Sequence, residues 1–286
     1  MGRTFANPTR VGQGSFIRSS LTSTKGDMTI PLDAPHALVT GGGIRVGAAL
    51  VRALARDGYR VWIHCRQSLE PARALQRELG PSILGVVQAD LSDAAQRETL
   101  IATLSNERGP GRGRLDLLIN SAASFECGAF EGREDSDLQR VLATNLIAPI
   151  SLARGLLPAL RRAEANETRG PSIINIVDLG GISPWRNYLD HCTAKAGLIM
   201  ATKAMALELG PGVRVNAIAP GTVLWPDAPE FAENHPLRQS LQDTIPLGRI
   251  GTPEDVAFAA LYLAKARFVS GQVLNVDGGR SADCGR

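Results

Sequence analysis

The sequence predicts an α/β fold: a single doubly wound domain on a seven-stranded parallel sheet. Three observations lead there. Seven short apolar runs recur along the chain with helical spacing between them. A glycine cluster stands directly between the first run and the first helical pattern. No apolar run reaches the roughly 18 to 20 uncharged residues that a membrane-crossing helix needs.

The elements follow in order. "HALVT" (36–40) is the first strand, and residues 44 to 57 carry apolar positions at helical spacing before the break at Asp57-Gly58. "RVWIH" (60–64), "ILGVV" (83–87), "LDLLIN" (115–120), "SIINIV" (172–177), "VRVNAIA" (213–219) and "QVLNV" (272–276) supply the other six. Runs this uniformly apolar are buried on both faces, which means a parallel sheet covered by helices on each side. Two long helices are predicted at about 134–163 and 188–209. "GPGRGR" (109–114) is a polar loop. The Pro-rich stretch 221–251, with Trp225 and Phe231, is too long for a passive connection and reads as a substrate lid.

The bulk properties narrow the class. A chain of 286 residues with 44% hydrophobic and 21% charged residues is an ordinary globular composition. Its formal charge of +3 resides in residues 1–27, where Arg3, Arg10, Arg18 and Lys25 face only Asp27. The remainder is neutral, without a basic stripe, which argues against a nucleic-acid partner. Residues 1–27 are expected to be a disordered extension, with Met28 as a second candidate start, and 28–286 to be the domain. Cys65, Cys127, Cys192 and Cys284 form neither a metal knuckle nor a disulfide scaffold, so a cytoplasmic protein without a metal is expected.

The first strand runs into Gly41-Gly42-Gly43-Ile44-Arg45-Val46-Gly47. Glycines allow close backbone approach to a pyrophosphate, and the following helix start offers unpaired amides, so Gly41, Arg45, Val46 and Gly47 are candidate cofactor residues. At the end of the second strand an acid would bind the ribose 2′-hydroxyl of NAD. Here the chain reads His64-Cys65-Arg66-Gln67-Ser68, and Arg45, Arg66 and Ser68 could surround a 2′-phosphate, which favours NADPH. After the third strand, Asp90 and Leu91 are placed to meet the adenine, although Asp90 could equally cap the next helix.

Over about residues 36–279 these motifs resemble the short-chain dehydrogenase/reductase family: the TGxxxRxG loop, Asn120, Asn145, Lys195 in "AKAG", "RVNAIAPG" (214–221) and "VDGG" (276–279). The resemblance implies that Asn120, Ala122, Pro220 and Gly221 border the cofactor, that Lys195 holds the nicotinamide ribose, that Asn145 holds a water feeding that lysine, and that the protein is a homotetramer. Ser121 departs from the usual NNAG pattern. Pteridine reductases look closest, through Arg45, the His64–Ser68 segment, Asp178 where most relatives carry Ser, and Phe125, placed to stack a pterin on the nicotinamide. Tyr188 matches a pocket-lining tyrosine of that group.

One residue departs from the family. His191 stands four residues before Lys195, where a tyrosine is the usual acid, so the two share a helix face. Imidazole can act as an acid near neutral pH, but its ring is shorter than a phenol. Asp178, 13 residues before His191, is the alternative donor, its pKa expected to rise on burial against the opposing charge of Lys195. Tyr188 lies roughly 10 Å along the axis from Lys195 and is too distant to stand in. The leading expectation is therefore an NADPH-dependent reductase of a pterin such as dihydrobiopterin, dihydromonapterin or dihydrofolate, with Asp178, His191, Lys195 and Asn145 catalytic and Phe125, Asp178, Tyr188 and Arg45 at the substrate. The alternatives are a ketone or aldehyde reductase using His191 as acid, and a catalytically weak NADPH-binding protein.

Overall fold

The apolar runs become the strands β1 (His36–Thr40), β2 (Arg60–Cys65), β3 (Ile83–Gln88), β4 (Leu117–Asn120), β5 (Ser172–Ile176), β6 (Arg214–Pro220) and β7 (Val273–Val276). They form one parallel sheet in the order β3-β2-β1-β4-β5-β6-β7. The computed structural model describes residues 31, 33–163, 169–225, 231–233 and 235–282. The expected extension 1–27, Met28, Cys284 and part of the lid (226–230 and 234) lie outside the described residues.

Each sheet face buries its own core. Val39, Ile63 and Ile119 pack under α1 (Arg45–Arg56), with Leu75 of α2 (Leu69–Leu79) and Val256 of a late helix, α9 (Pro253–Lys265), in the same cluster. On the other face Leu38, Leu118 and Ile173 pack with Leu100 of α3 (Ala94–Ser105) and Leu152 of α5 (Ala148–Gly155). Strands flanked this way on both sides have no solvent face, which is why they read as continuous apolar runs. The order in which strands are added reverses at β1, between its neighbours β2 and β4, and the crevice outside the strand ends at such a reversal is where ligands bind in this architecture.

One expectation is corrected. The helix expected at 134–163 is broken into α4 (Asp135–Leu142), a π-helical turn (Ala143–Ile147) that holds Asn145, α5, and α6 (Leu157–Arg161). Pro149 and Pro158 stand in the first turns of α5 and α6, where a missing N–H is harmless. The segment expected to form a lid contains α8 (Pro236–Asp243), whose first turn is capped by the His235 ring accepting from the Leu237 amide at 3.2 Å. Trp225 and Phe231 stack with centroids 6.1 Å apart, and the Arg238 guanidinium lies over Trp225. The other expected helix forms as one piece, α7 (Leu189–Leu209).

Candidate active site and cofactor cleft

At the carboxyl ends of β1 and β4 the glycine loop bends back on itself. Gly41 has φ +64°, and a Cβ there would lie 2.9 Å from the Ala122 backbone. Gly47 admits no side chain either, because a Cβ would come within 2.0 Å of the Gly41 carbonyl oxygen. Arg45 also takes a left-handed conformation, φ +53°, which costs a side-chain-bearing residue strain. Thr40 ties the loop to β4, its hydroxyl accepting from the Ser121 and Ala122 amides at 2.9 and 3.0 Å. Ile44, at the start of α1, caps none of the first-turn amides with its side chain, so they are free to face an anion.

A cleft of about 560 Å³ opens over this loop, lined by Gly41, Arg45, Val46, Gly47, Arg66 and Ser68 and, from β4, Ser121 and Ala122. These residues fit the pyrophosphate of a nicotinamide dinucleotide, with Arg45 and Arg66 as the cations beside it. Among the described residues no cluster of His, Cys, Asp and Glu could hold a metal ion, and no helix is long and apolar enough to cross a membrane.

The other candidate cofactor residues have the following protein contacts. His64 is buried, with Nδ1 accepting from the Gly41 amide at 3.2 Å and Nε2 against the Ala89 carbonyl at 3.0 Å. Asp90 does not cap α3. That role falls to Asp93, which accepts from the Ala95 and Gln96 amides. Asp90 instead accepts from the Ser92 amide and hydroxyl and sits 3.8 Å from Arg66. Leu91 buries its side chain in the core. Asn120 donates to Asn175 at 2.8 Å inside the sheet, so its side chain faces the neighbouring strand. Pro220 ends β6, and Gly221 donates to the Val276 carbonyl and packs on Asp277, which fixes the start of the lid.

The catalytic candidates converge at the end of β5 and the first turns of α7. Lys195 is buried and donates to the Ile176 carbonyl at 2.8 Å. Burial pushes its ammonium pKa down, opposed by the charge of Asp178. Asp178 Oδ2 lies 2.6 Å from His191 Nε2. Asp178 begins the short turn Leu179–Gly181, yet its carboxylate makes no capping bond to it. Oδ1 has no hydrogen-bond partner among the described residues. The Gly180 amide nonetheless lies close enough to this carboxylate to help hold it ionised.

The expectation that burial would raise the Asp178 pKa is corrected. Burial does push it up, but the hydrogen bond from His191 and the charge of Lys195 outweigh that, and the carboxyl is held below the ordinary range. Asn145 lies beside this group: its Oδ1 accepts from the Ser124 amide at 2.7 Å, its Nδ2 donates to the Ser124 carbonyl at 2.8 Å, and Nδ2 also faces His191 Nδ1 at 3.4 Å.

Aromatic rings close around this group. Phe125 stacks on Tyr188 with centroids 4.7 Å apart and presents its edge to His191 at 4.8 Å. Trp185, which sequence reasoning missed, lies nearly parallel to His191 at 6.2 Å. Its signal was the aromatic pair in "WRNY" just before α7. Also missed were the Ser124 carbonyl and the pair of Arg133 with buried Asp190, one residue before His191. Backbone groups and long-range ion pairs leave no mark in a linear pattern. The sequence-predicted residues thus divide into a set lining the cleft, a set packed behind it, and a compact group of catalytic candidates.

Comparison with known proteins agrees with this geometry. The family model described as "Enoyl-(Acyl carrier protein) reductase" matches residues 43–281. Among similar curated proteins, nodulation protein G of Azospirillum brasilense is 34% identical over 249 residues, covering 85% of this chain and 96% of the relative. The 3-oxoacyl-[acyl-carrier-protein] reductase of Aggregatibacter actinomycetemcomitans is 33% identical over 249 residues, covering 85% and 97%. The 3beta-hydroxysteroid dehydrogenase 1 of Eggerthella lenta is 34% identical over 257 residues, covering 87% and 94%. With its sheet order, glycine loop and Lys195 in place, this chain belongs to the short-chain dehydrogenase/reductase family of nicotinamide-dependent oxidoreductases.

Proposed function

We propose that the protein is an NADPH-dependent reductase of a flat C=N heterocycle, a pterin such as dihydrobiopterin, dihydromonapterin or dihydrofolate. The observation that carries this is the Asp178–His191 pair at the site of the family's Ser and Tyr, with Asp178 the more exposed partner (side chain 18% exposed against 2%). A ketone oxygen is served by a phenol or hydroxyl. A ring nitrogen with N–H neighbours is served by a carboxylate that both accepts hydrogen bonds and passes on a proton.

Each residue has a role in this reading. Arg45, Arg66 and Ser68 hold the 2′-phosphate, and the α1 amides hold the pyrophosphate. Lys195, locked on the Ile176 carbonyl, fixes the nicotinamide ribose. When bound, NADPH supplies the hydride. Phe125 and Tyr188 offer aromatic faces to the substrate ring, worth about 0.5 to 1.5 kcal/mol per pair beyond burial. Exposed apolar residues on α7, Met200 and Leu207 among them, support a homotetramer, and the reading places it in the cytoplasm.

A ketone or aldehyde substrate is favoured by the names of two relatives, a 3-oxoacyl reductase and a hydroxysteroid dehydrogenase. Against it, both ring nitrogens of His191 are engaged by protein groups. Oxidation of NADPH by dihydrobiopterin and dihydrofolate, compared with 3-oxoacyl and steroid ketones, separates the two. Turnover of a dihydropterin that disappears in Asp178→Asn is the expected result, and turnover of ketones alone would overturn the reading.

A further inference from the structure

His191 has a protein partner at each nitrogen, and the two sides differ in kind. Nε2 lies against a carboxylate oxygen, Asp178 Oδ2, which can only accept, so Nε2 carries a hydrogen. Nδ1 faces two groups of opposite character: the Ser124 carbonyl at 3.2 Å, an acceptor, and Asn145 Nδ2 at 3.4 Å, a donor. Without a hydrogen, Nδ1 is served by Asn145. With one, it is served by Ser124. The orientation of the Asn145 amide is set by its two bonds to the Ser124 backbone, at 2.7 and 2.8 Å, so the donor stays a donor. The ring is therefore satisfied in one position both as a neutral base and as a cation.

This arrangement is built rather than incidental. Trp185 covers one face of the ring and Phe125 abuts it, leaving His191 2% exposed. The imidazole is almost wholly enclosed, whereas the Asp178 side chain keeps 18% of its surface exposed. Other charges around it are held by partners. Asp190 is paired with Arg133, Glu126 with Arg140 and the Ser124 hydroxyl, and Lys195 rests on the Ile176 carbonyl.

We propose that His191 is a proton store behind Asp178, loading the carboxylate that faces the substrate without touching the substrate itself. The proposal rests on the reductase reading above. As hydride from the reduced nicotinamide adds to the carbon of a C=N bond, the π electron pair moves to nitrogen. The His191 Nε2–H bond breaks while a hydrogen forms on Asp178 Oδ2. That O–H bond then breaks as the substrate nitrogen takes the proton. One proton leaves the pair and one enters the product. The ring ends neutral, with its remaining hydrogen on Nδ1 held by the Ser124 carbonyl and a bare Nε2 facing an ionised oxygen at 2.6 Å. Two facing lone pairs favour return of a proton from solvent through Asp178, which resets the store.

Two measurements test this. In the full chain, 15N spectra of the neutral His191 ring are expected to show its hydrogen on Nε2 and a bare Nδ1. A neutral ring protonated at Nδ1, with Nε2 bare, would overturn the proposal whatever the substrate. With dihydrobiopterin and NADPH as probes, His191→Phe is expected to lower kcat by about 10²-fold or more, to abolish the alkaline limb of the pH profile, and to leave the KM for NADPH unchanged. An unchanged kcat–pH profile in His191→Phe would overturn it. Absence of any dihydropterin turnover in the unmodified protein would instead remove the reductase reading, and the ring spectra would still decide the store.

Discussion

His64 holds Gly41 from beneath. The buried ring accepts the glycine amide hydrogen at Nδ1 while Nε2 meets the Ala89 carbonyl just past the end of the neighbouring strand β3. The first turn of the cofactor loop is thus pinned to the end of β3, and the pin works only while the ring is neutral, because a protonated Nδ1 cannot accept.

Acid should loosen this pin. Burial holds the His64 pKa below its ordinary 6.5, and burial likewise lowers that of His36, against the nearby charge of Asp116. A depressed folded-state pKa means the unfolded chain takes up the proton first. The stabilisation is therefore complete above about pH 6.5 and is lost as pH falls from there through the folded-state values. Melting temperature measured from pH 8 to 5 should fall in that window, and His64→Gln should flatten the decline.

Gly47→Ala should disable cofactor binding. The added methyl would sit 2.0 Å from the Gly41 carbonyl, so the loop must move or α1 must shift. Overpacking of this kind costs about 1 to 3 kcal/mol or more. Denaturant unfolding would record that loss, and NADPH titration should show no saturation.

Arg66→Ala should weaken NADPH and spare NADH. Losing one charge-assisted bond to the 2′-phosphate corresponds to about 1.5 to 3 kcal/mol, or roughly 10- to 100-fold in Kd. Asp90, 3.8 Å from Arg66, gains nothing from a second anion, so Asp90→Asn should leave NADPH binding intact or tighten it. Parallel titrations with both dinucleotides check the pattern, and equal losses for the two would count against a 2′-phosphate site.

Asp178→Asn should remove activity by about 10²- to 10⁴-fold and alter acid stability at the same time. The folded-state pKa of Asp178 lies below its ordinary 3.8, so the carboxylate stabilises the fold above that value and loses this contribution as pH falls through the depressed one. Unfolding curves from pH 5 to 2 should be less pH-dependent in the variant.

Arg133→Ala and Asp190→Asn should each lower the melting temperature, and the double variant should be no less stable than the worse single one. Arg133 Nε and Nη2 both donate to Asp190 Oδ2, which joins the 124–133 loop to the first turn of α7, next to His191. Breaking one side leaves a buried carboxylate without its cation. Activity lost with little change in NADPH binding would separate this positioning role from a cofactor effect.

The sheet was legible because burial on both faces writes uninterrupted apolar runs, and six of the seven strands begin and end within one residue of their runs. The glycine loop was legible for the same kind of reason: only glycine tolerates the approach of Gly47 to the Gly41 carbonyl. Less was visible where side chains of one type can serve two ends. His64 and Asn120 lie at cofactor-facing strand ends yet turn inward to the Gly41 amide and to Asn175. The rise expected for the Asp178 pKa failed because the Oδ2 bond to His191 depends on a ring whose direction spacing alone cannot give. Proline at 149 and 158 hinted that the 134–163 helix was segmented, but the π turn at Asn145 answers to Ser124, a residue on another element.

Arg45 sets the protein's interest in being stable against its interest in being useful. With φ at +53° it occupies a conformation that glycine adopts freely, so the ligand-free chain stores strain of order 1 kcal/mol at its own binding loop. A selection for heat resistance alone would therefore drift towards glycine at this position, and the drift would strip a cation from the cleft. Engineering campaigns on this scaffold should screen with the cofactor present, because the most thermostable loop and the most competent one are different sequences.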